Sequence, residues 1–539
     1  MSLPRGVADV LAEHVTLQVE CIDRMYCNVY QPRLQHELGV VGFFKGHRGM
    51  PVVSSALMDP ISKTFVAGIR DFAQRYDIPL LSFRSGERKD DVAGRYLSRF
   101  EGQEGVLFIG RAQEKTPVWR TQKRRNPQTG ACYPWLVRDV AMVNHFYFYA
   151  VDSDFGPFFL KFGTYFPYTA KLCINGHHWA QRQAAKAGLG FTALDNGFAS
   201  CEDPQALQGI CDRLDAAKVD DLLRKWLATL PHPFTPDDRA AGYRYDVSVL
   251  QAEFSTTQVL DRPLSGRVFF EQVIGDNLDI GRPDRVGLVF DRRVIAKGPR
   301  PTPGRFRTRV ITDGVTPSLH IDYKHSKIKQ YHKQGRALRT ETTINDTRDF
   351  GIGKRLHNLP ALREVGFHAN RRLLSVQRIS HEPWTGQDAL DRVTRPILTD
   401  GQRAPALRLD DRRVQALLSA LVVFRLLPQG FSNADLREHL APLLGLELSA
   451  LTPGRMTYDL RRLRLHGLIE RIPGSHRYQV TEFGLRVALF LTRLHNRLVR
   501  PGLSQIAGHD PPCPSRLRRA FAHLQTEMDR FAQQSHHAA

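Results

Sequence analysis

The sequence lacks paired cysteines, phosphate-binding glycine signatures and apolar runs long enough to cross a membrane. Its seven cysteines are scattered through 539 residues and none forms a C-x-x-C pair, which argues against a disulfide framework and a zinc ribbon. The first third contains neither G-x-G-x-x-G nor G-x-x-x-x-G-K-[ST], so no nucleotide cofactor is expected there. The N-terminal stretch has no signal-peptide pattern, and the most apolar run, residues 417–427, is too short for a bilayer. We therefore expect a cytoplasmic protein with reduced thiols and no membrane partner.

Acidic residues are scarce relative to basic ones. The chain has 76 Lys and Arg against 55 Asp and Glu, a formal net charge of +21 and a pI of about 9.9. This excess favours a polyanionic partner, because phosphates attract the cations and release counterions on binding. The same charge is also found in proteins that bind acidic membranes, and in proteins from organisms whose proteomes are generally rich in arginine. The hydrophobic fraction of 42% is ordinary for a protein with a core, and the length predicts three or four structural units.

The first third of the chain predicts a parallel α/β sheet, with strands at residues 39–44, 80–83 and 105–110 and helices between them. In such sheets ligands bind at the carboxyl ends of the strands. One loop there carries Glu87, Asp90 and Asp91, which suit a metal site, and Arg88 and Lys89, which suit a phosphate. The alternative is a charged helix start, where acids favour the positive end of the helix dipole.

An aromatic tract at residues 145–168, with a turn at 152–157, predicts a long β-hairpin. Its two faces carry different side chains: Phe146 and Phe148 on one, and His145, Tyr147 and Tyr149 on the other. We expect the phenylalanines to fill a core, whereas the polar tips of the second set need partners at a site. Aromatic residues beside the basic segment 116–126 also suit base stacking, which makes RNA an alternative partner.

The next segment, residues 173–178, brings Cys173, His177 and His178 together in sequence. Without a second cysteine pair at ligand spacing, we interpret this group as packing around a buried thiol rather than as a metal site.

Residues 318–345 alternate like β-strands, with breaks near His325 and Gly335, and predict a basic β-hairpin with a third strand. Between Arg292 and Arg339 thirteen cations face only two acids. So many like charges favour contact with phosphate over a solvated face. The side chains predicted to contact DNA here are Lys324, Lys327, Lys329, Arg336 and Arg339.

Within this hairpin, Tyr331-x-Lys333 followed by Arg339-x-Glu341 resembles a pattern in phage and plasmid replication initiators. The resemblance covers about a dozen residues and implies a metal-dependent nicking site with Tyr331, Lys333 and Glu341 in catalytic roles. The His-hydrophobic-His metal motif of that family is absent, since Ile321 is followed by Asp322. Chemically, His320, Asp322 and Glu341 suit Mg²⁺ or Mn²⁺, while Tyr331 or Tyr323 attacks phosphorus. The alternative is a hairpin that docks phosphates without cleaving them.

The C-terminal part predicts helix, helix, basic helix, β-hairpin and helix. Ser432 with Asp435 forms a capping box, and Thr452-Pro453 starts the basic helix. This order resembles a winged-helix DNA-binding domain, with residues 458–484 carrying the likeness. The resemblance implies that residues 452–466 are the recognition helix and 471–478 the wing. The implied DNA contacts are Arg455, Thr457, Tyr458, Arg461, Arg462, Arg464, His476 and Arg477.

Together these patterns predict a mixed α/β main body with a βαβ-like N-terminal part, followed by a winged helix-turn-helix. The predicted divisions are an α/β domain at 1–230, an α+β domain at 231–380, a linker at 381–406, the winged helix at 407–500 and a tail helix at 501–539. We expect the apolar stripe of the tail helix either to pack back on the chain or to mediate a homodimer. The preferred hypothesis is a DNA-binding replication, mobile-element or regulatory factor. A metal-dependent DNA endonuclease or strand-transferase and an RNA-binding protein are the alternatives.

Overall fold

The structure is a computed structural model with two compact units, Met1–Glu382 with Arg425–Gly430, and Pro383–Phe424 with Phe431–Ala539. It describes residues 13–84, 86–262, 307–313, 316–379, 387–399, 401–424, 427, 430–495, 523–524 and 526–527. Among these residues no helix has the length and apolar character that crossing a membrane requires. Most of the predicted tail helix, and the cations at 292–305, lie outside the described residues.

The first unit is built on an eleven-stranded sheet of order β10-β11-β12-β13-β9-β1-β6-β5-β4-β3-β2. Only β2 and β3 run parallel, and the other neighbours are antiparallel. The strands are β1 (Val15–Tyr30), β2 (Leu80–Ser82), β3 (Gly105–Arg125), β4 (Cys132–Asp152), β5 (Gly156–Gly163), β6 (Ala170–Asn175), β9 (Asp246–Leu260), β10 (Arg307–Asp313), β11 (Thr316–Tyr323), β12 (Ser326–Lys333) and β13 (Ala337–Ile344), with β7 (Phe191–Leu194) and β8 (Gly197–Cys201) as a separate hairpin.

Helices cover the sheet and supply the rest of the core. They are α1 (Glu37–Val41), α2 (Met58–Arg75), α3 (Lys89–Leu97), α4 (Gly176–Lys186), α5 (Pro204–Asp212), α6 (Ala216–Thr229), α7 (Pro236–Ala240) and α8 (Leu359–Ile379). The main core contains Phe65 and Ile69 of α2, Phe148 of β4 and Trp226 of α6. A smaller cluster on the other side of β4 contains Tyr147, Tyr149 and Val92 of α3. The two faces predicted for the aromatic hairpin are therefore confirmed.

The predicted basic hairpin is also confirmed, as β11, β12 and β13. The charged segment before α3 is a helix start, with Asp90 and Asp91 in the first turn. Acids at this end of a helix favour its positive dipole.

Two local predictions are wrong. Residues 39–44 are not a strand: Gly39–Val41 end α1, and Gly42–His47 form a π-helical turn that buries Phe43 and Phe44. The predicted parallel sheet therefore reduces to the β2–β3 pair. In the later half of residues 239–261 the spacing of Val249, Leu250, Phe254 and Val259 predicts a helix, but this segment forms the strand β9, which pairs with both β1 and β13. A strand buried on both faces loses the period-2 pattern, which is why its apolar spacing was ambiguous. Because β9 pairs directly with β1 and β13 pairs with β9, the segments on either side of residue 230 share one sheet.

The second unit begins at Pro383, within the segment predicted as a linker. Its described elements are α9 (Gln387–Thr394), β14 (Ile397–Thr399), β15 (Gln402–Ala404), α10 (Arg412–Phe424), α11 (Asn433–Leu444), α12 (Pro453–Leu465), β16 (Ile469–Arg471), β17 (Tyr478–Val480) and α13 (Glu482–Leu494). The predicted caps are confirmed: Ser432 and Asp435 form the capping box of α11, and Thr452 caps α12 with Pro453 in its first turn.

Candidate functional site

The basic hairpin carries a buried ionic network centred on Arg339. This side chain has no exposed surface, and its Nη2 lies 2.6 Å from Asp23 Oδ2. Its Nε lies 2.8 Å from Glu341 Oε1. Nη2 also donates to His177 Nε2 over 2.6 Å. The guanidinium is therefore held from β1, β13 and α4 at once.

Local geometry explains why such distant residues meet. The register of β1 against β9 shifts between Ile22 and Met25, the stretch that contains Asp23. Asn175 caps α4 by accepting from the backbone N–H of His177, which fixes the first turn of that helix. Ser255 of β9 lies opposite Glu341 and places its Oγ 2.9 Å from His177 Nε2.

The network perturbs the pKa of each member. Burial raises the pKa of Glu341 to about 7, although the charge of Arg339 acts in the opposite direction. For Asp23, burial acts to raise the pKa, but the charge of Arg339 and the hydrogen bond from Asn196 outweigh it, so the pKa of that carboxyl is lowered. Burial and the charge of Arg339 lower the pKa of His177 well below its usual range, which keeps the imidazole neutral. Lys333, at the edge of the network, has its pKa lowered by burial and by Arg339.

The hypothesis that Arg339 contacts DNA is wrong, because a fully buried guanidinium cannot reach a phosphate. Tyr331 donates to Glu341 over 2.7 Å. Burial and the neighbouring carboxylate raise the pKa of Tyr331, which disfavours the phenolate that a nucleophile needs. The Tyr331, Lys333 and Glu341 trio is thus brought together as part of a buried ionic network.

The predicted metal ligands His320, Asp322 and Glu341 are not gathered around a common point. In the strand register His320 pairs with Lys329, and Lys329 pairs with Glu341. A lysine therefore lies between the imidazole and the carboxylate, whose strands are about 10 Å apart. Within the described part of the chain, no group of three His, Cys, Asp or Glu side chains could hold a metal ion.

The remaining cations predicted to contact DNA from the hairpin differ in exposure. Lys327 and Arg336 are exposed. Lys329 is half-buried with its Nζ 4.1 Å from the centre of the Tyr331 ring. Lys324 is half-buried and donates to the backbone oxygen of Asp349 over 3.3 Å.

A second polar cluster, which the sequence only hinted at through Tyr147, lies on β3, β4 and β5. Lys161 Nζ is 2.6 Å from Glu114 Oε2 and donates to Tyr147 Oη over 3.2 Å. Lys89 Nζ lies 3.9 Å from the centre of the Tyr147 ring. Burial lowers the pKa of Lys89 even though Glu114 opposes the shift. The residues are far apart in sequence, so only the strand register reveals the cluster.

The outward face of α12 is an accessible cationic surface of the second unit. Arg455, Thr457, Tyr458 and Arg464 are exposed, with 48% of Tyr458 accessible. The one acid of this helix, Asp459, is buried and lies 2.5 Å from Arg413 of α10. The exposed side chains of α12 therefore include cations and no acid.

Two other arginines of α12 donate hydrogen bonds to the backbone just before α10. Arg461 Nη1 donates to the backbone oxygen of Arg403 over 3.2 Å. Arg462 Nε donates to the backbone oxygen of Pro405 over 3.2 Å. In the hairpin that follows, Arg471 and His476 are exposed, and Arg477 lies 3.2 Å from Asp435.

Comparison of the chain with protein-family models, with curated proteins and with solved structures gave no match.

The pKa of Glu341 predicts a pH-dependent stability difference. Because the folded state holds this proton more tightly, ionised Glu341 destabilises the fold as pH rises from about 5 to 7. We expect Glu341→Gln to gain stability relative to wild type over this window by up to about 1.4 kcal/mol per pH unit. His177 acts in the opposite direction, but it is present in both proteins and cancels in the difference.

Urea unfolding of both proteins at pH 5, 6, 7 and 8 measures this difference, with Glu364→Gln, an exposed acid of α8, as the control. A stability difference that is constant across the window would contradict the assigned burial of Glu341.

Proposed function

We propose that this chain is a DNA-binding protein whose second unit contacts DNA through the outward face of α12. The observation that carries the proposal is the segregation of charge on this helix. Its acid is buried against Arg413, whereas Arg455, Tyr458 and Arg464 are exposed. Arginines on an exposed helix suit both phosphate oxygens and the acceptor edge of guanine.

The order of elements supports a winged helix-turn-helix arrangement. Helices α10, α11 and α12 precede the two-stranded β16–β17 sheet, and α13 follows it. In such an arrangement α12 enters the major groove, and the turn between β16 and β17 lies along the backbone. Arg471 and His476 are the exposed cationic and titratable groups near that turn.

The hydrogen bonds divide the predicted contacts into two groups. Arg455, Tyr458 and Arg464 have the exposure that DNA contact requires. Arg461 and Arg462 donate to the backbone at 403–406 and serve to position α12. Replication, mobile-element and regulatory roles all require this kind of binding, and the choice among them depends on the target sequence.

Substitution of the exposed arginines tests the proposal. We expect Arg455→Gln with Arg464→Gln to weaken binding to a mixed-sequence duplex by about tenfold or more, since each contact contributes about 1–3 kcal/mol. Fluorescence anisotropy with labelled duplex at fixed salt measures the dissociation constant.

The matched control is Arg408→Gln with Arg412→Gln, two exposed arginines of the same unit that change the net charge equally. If both double variants bind like wild type, α12 is not the contact surface. Equal weakening by both would indicate that net charge, rather than this helix, governs binding.

A further inference from the structure

Among the described residues of the first unit, the longest hairpin extends beyond the sheet as a two-stranded ribbon. β3 pairs with β4 without interruption from Phe108 and Tyr149 to Arg125 and Cys132. The neighbouring strand β2 reaches only Arg111 on β3, and β5 begins its pairing at His145 on β4. Among the described residues no other strand pairs with the ribbon between these points and its tip.

The base of the ribbon is fixed to the body of the unit. Trp119 is buried and its Nε1 donates to the backbone oxygen of Leu34 over 3.0 Å. Thr121 Oγ1 accepts from the backbone N–H of Ser55 over 2.7 Å. From the opposite strand, Arg138 Nη1 donates to the backbone oxygen of Gln35 over 3.0 Å. These contacts set the direction in which the tip points.

The tip is ordered by its own turn. Asn126 Oδ1 accepts from the backbone N–H groups of Gln128 and Thr129, and the Asn126 N–H donates to Ala131 O over 2.9 Å. Gly130 has a φ of +69°, a conformation that suits glycine in such a turn. The four residue pairs from Gln122 to Arg125 extend about 13 Å beyond Thr121 before the turn.

The tip is cationic on both of its faces. Lys123, Arg124 and Arg125 are consecutive and exposed, and alternation along the strand places Arg124 on the face opposite the other two. Residues 121–137 contain these three cations and no acid. On the Arg124 face the guanidinium lies 4.6 Å from the centre of the Trp135 ring, beside the exposed ring of Tyr133.

We propose that this ribbon is a second DNA-binding element, which inserts its tip into a groove of the duplex. The charge of the tip favours a polyanionic partner, because consecutive cations with no acid among them repel one another unless phosphates neutralise them. The shape favours duplex DNA, because the major groove admits a two-stranded ribbon and is about 8.5 Å deep, less than the length of the free tip. Cations on both faces match the two phosphate backbones that border a groove. The element belongs to the first unit and does not depend on α12 being a DNA contact.

Substitution of the three tip cations tests the ribbon. We expect Lys123→Gln, Arg124→Gln and Arg125→Gln together to weaken binding of the full chain to duplex DNA by about tenfold or more. The slope of log Kd against log salt concentration falls by about 3 in magnitude. The matched control is Lys63→Gln, Arg70→Gln and Arg75→Gln, three exposed cations of α2 that change the charge equally.

Cys132 provides a readout in the wild-type chain, because its exposed thiol lies opposite Arg125 at the tip. We expect saturating duplex DNA to slow its alkylation about fivefold or more, measured by mass spectrometry on its own peptide. The same protection is expected in the Arg455→Gln/Arg464→Gln protein at a saturating DNA concentration, which separates this proposal from that for α12. Unchanged alkylation, equal affinity of the ribbon and control variants, or stronger protection by single-stranded RNA than by duplex would each overturn the proposal.

Discussion

Replacing Arg339 with methionine is expected to lower the free energy of unfolding by about 3–5 kcal/mol. The methionine fills much of the space but leaves Asp23, whose side chain is 5% exposed, as a buried carboxylate without its cation. Removing one partner of a buried ion pair costs far more than removing both. Asp23→Asn added to Arg339→Met is therefore expected to recover a large part of the loss.

Equilibrium urea unfolding followed by tryptophan fluorescence measures this effect, since four of the five tryptophans lie in the first unit: Trp119, Trp135, Trp179 and Trp226. Arg336→Met, an exposed cation three residues earlier, is the control and is expected to change the unfolding free energy by about 0.5 kcal/mol or less. If the two variants unfold at the same urea concentration, Arg339 is not the buried centre of the network.

The second large effect is expected in the other unit, at Arg413. Its Nε and Nη2 lie 2.9 Å and 2.5 Å from Asp459 Oδ2, and the two side chains are 14% and 4% exposed. Arg413→Met leaves that carboxylate buried in α12, and we expect a loss of about 3–5 kcal/mol. This ion pair anchors α12, the proposed DNA contact, through Asp459. Loss of the pair is therefore expected to lower DNA affinity as well as stability.

Hydrogen–deuterium exchange of the peptides from α10 and α12 follows this unit directly. Arg412→Met, the exposed neighbouring arginine, is the control, and Asp459→Asn is expected to rescue part of the loss in Arg413→Met. Normal protection of α12 in Arg413→Met would mean that the ion pair does not anchor the helix.

Helix caps and strand alternation could be predicted from the sequence, because each depends on residues that are close together along the chain. The caps at Ser432 and Thr452 satisfy N–H groups within three residues, so their side chains identify helix starts from sequence alone. The alternation in β11, β12 and β13 reflects their own side-chain packing, and their turns were readable for the same reason. The predictions for residues 39–44 and for the segment that forms β9 were wrong, because short or continuous apolar runs suit a buried helix and a buried strand equally.

The candidate site was less predictable because its geometry depends on long-range register. Spacing showed that Arg339 and Glu341 share a face of one strand, but not that Asp23 and His177 cover that face. An arginine in a basic stretch was therefore predicted at the surface, although it is buried in the core. For α12 the helix was predictable, whereas the burial of Asp459 and the backbone contacts of Arg461 and Arg462 required the tertiary structure.

The salt dependence of DNA binding by the 539-residue chain tests the central claim most directly. Binding through phosphate contacts of exposed arginines predicts a linear fall of log affinity with log salt concentration between 50 and 200 mM. The slope in the Arg455→Gln/Arg464→Gln protein is expected to be about 2 smaller in magnitude than in wild type, and the Arg408→Gln/Arg412→Gln protein is expected to keep the wild-type slope. Absent or salt-insensitive binding by the wild-type chain would contradict the account.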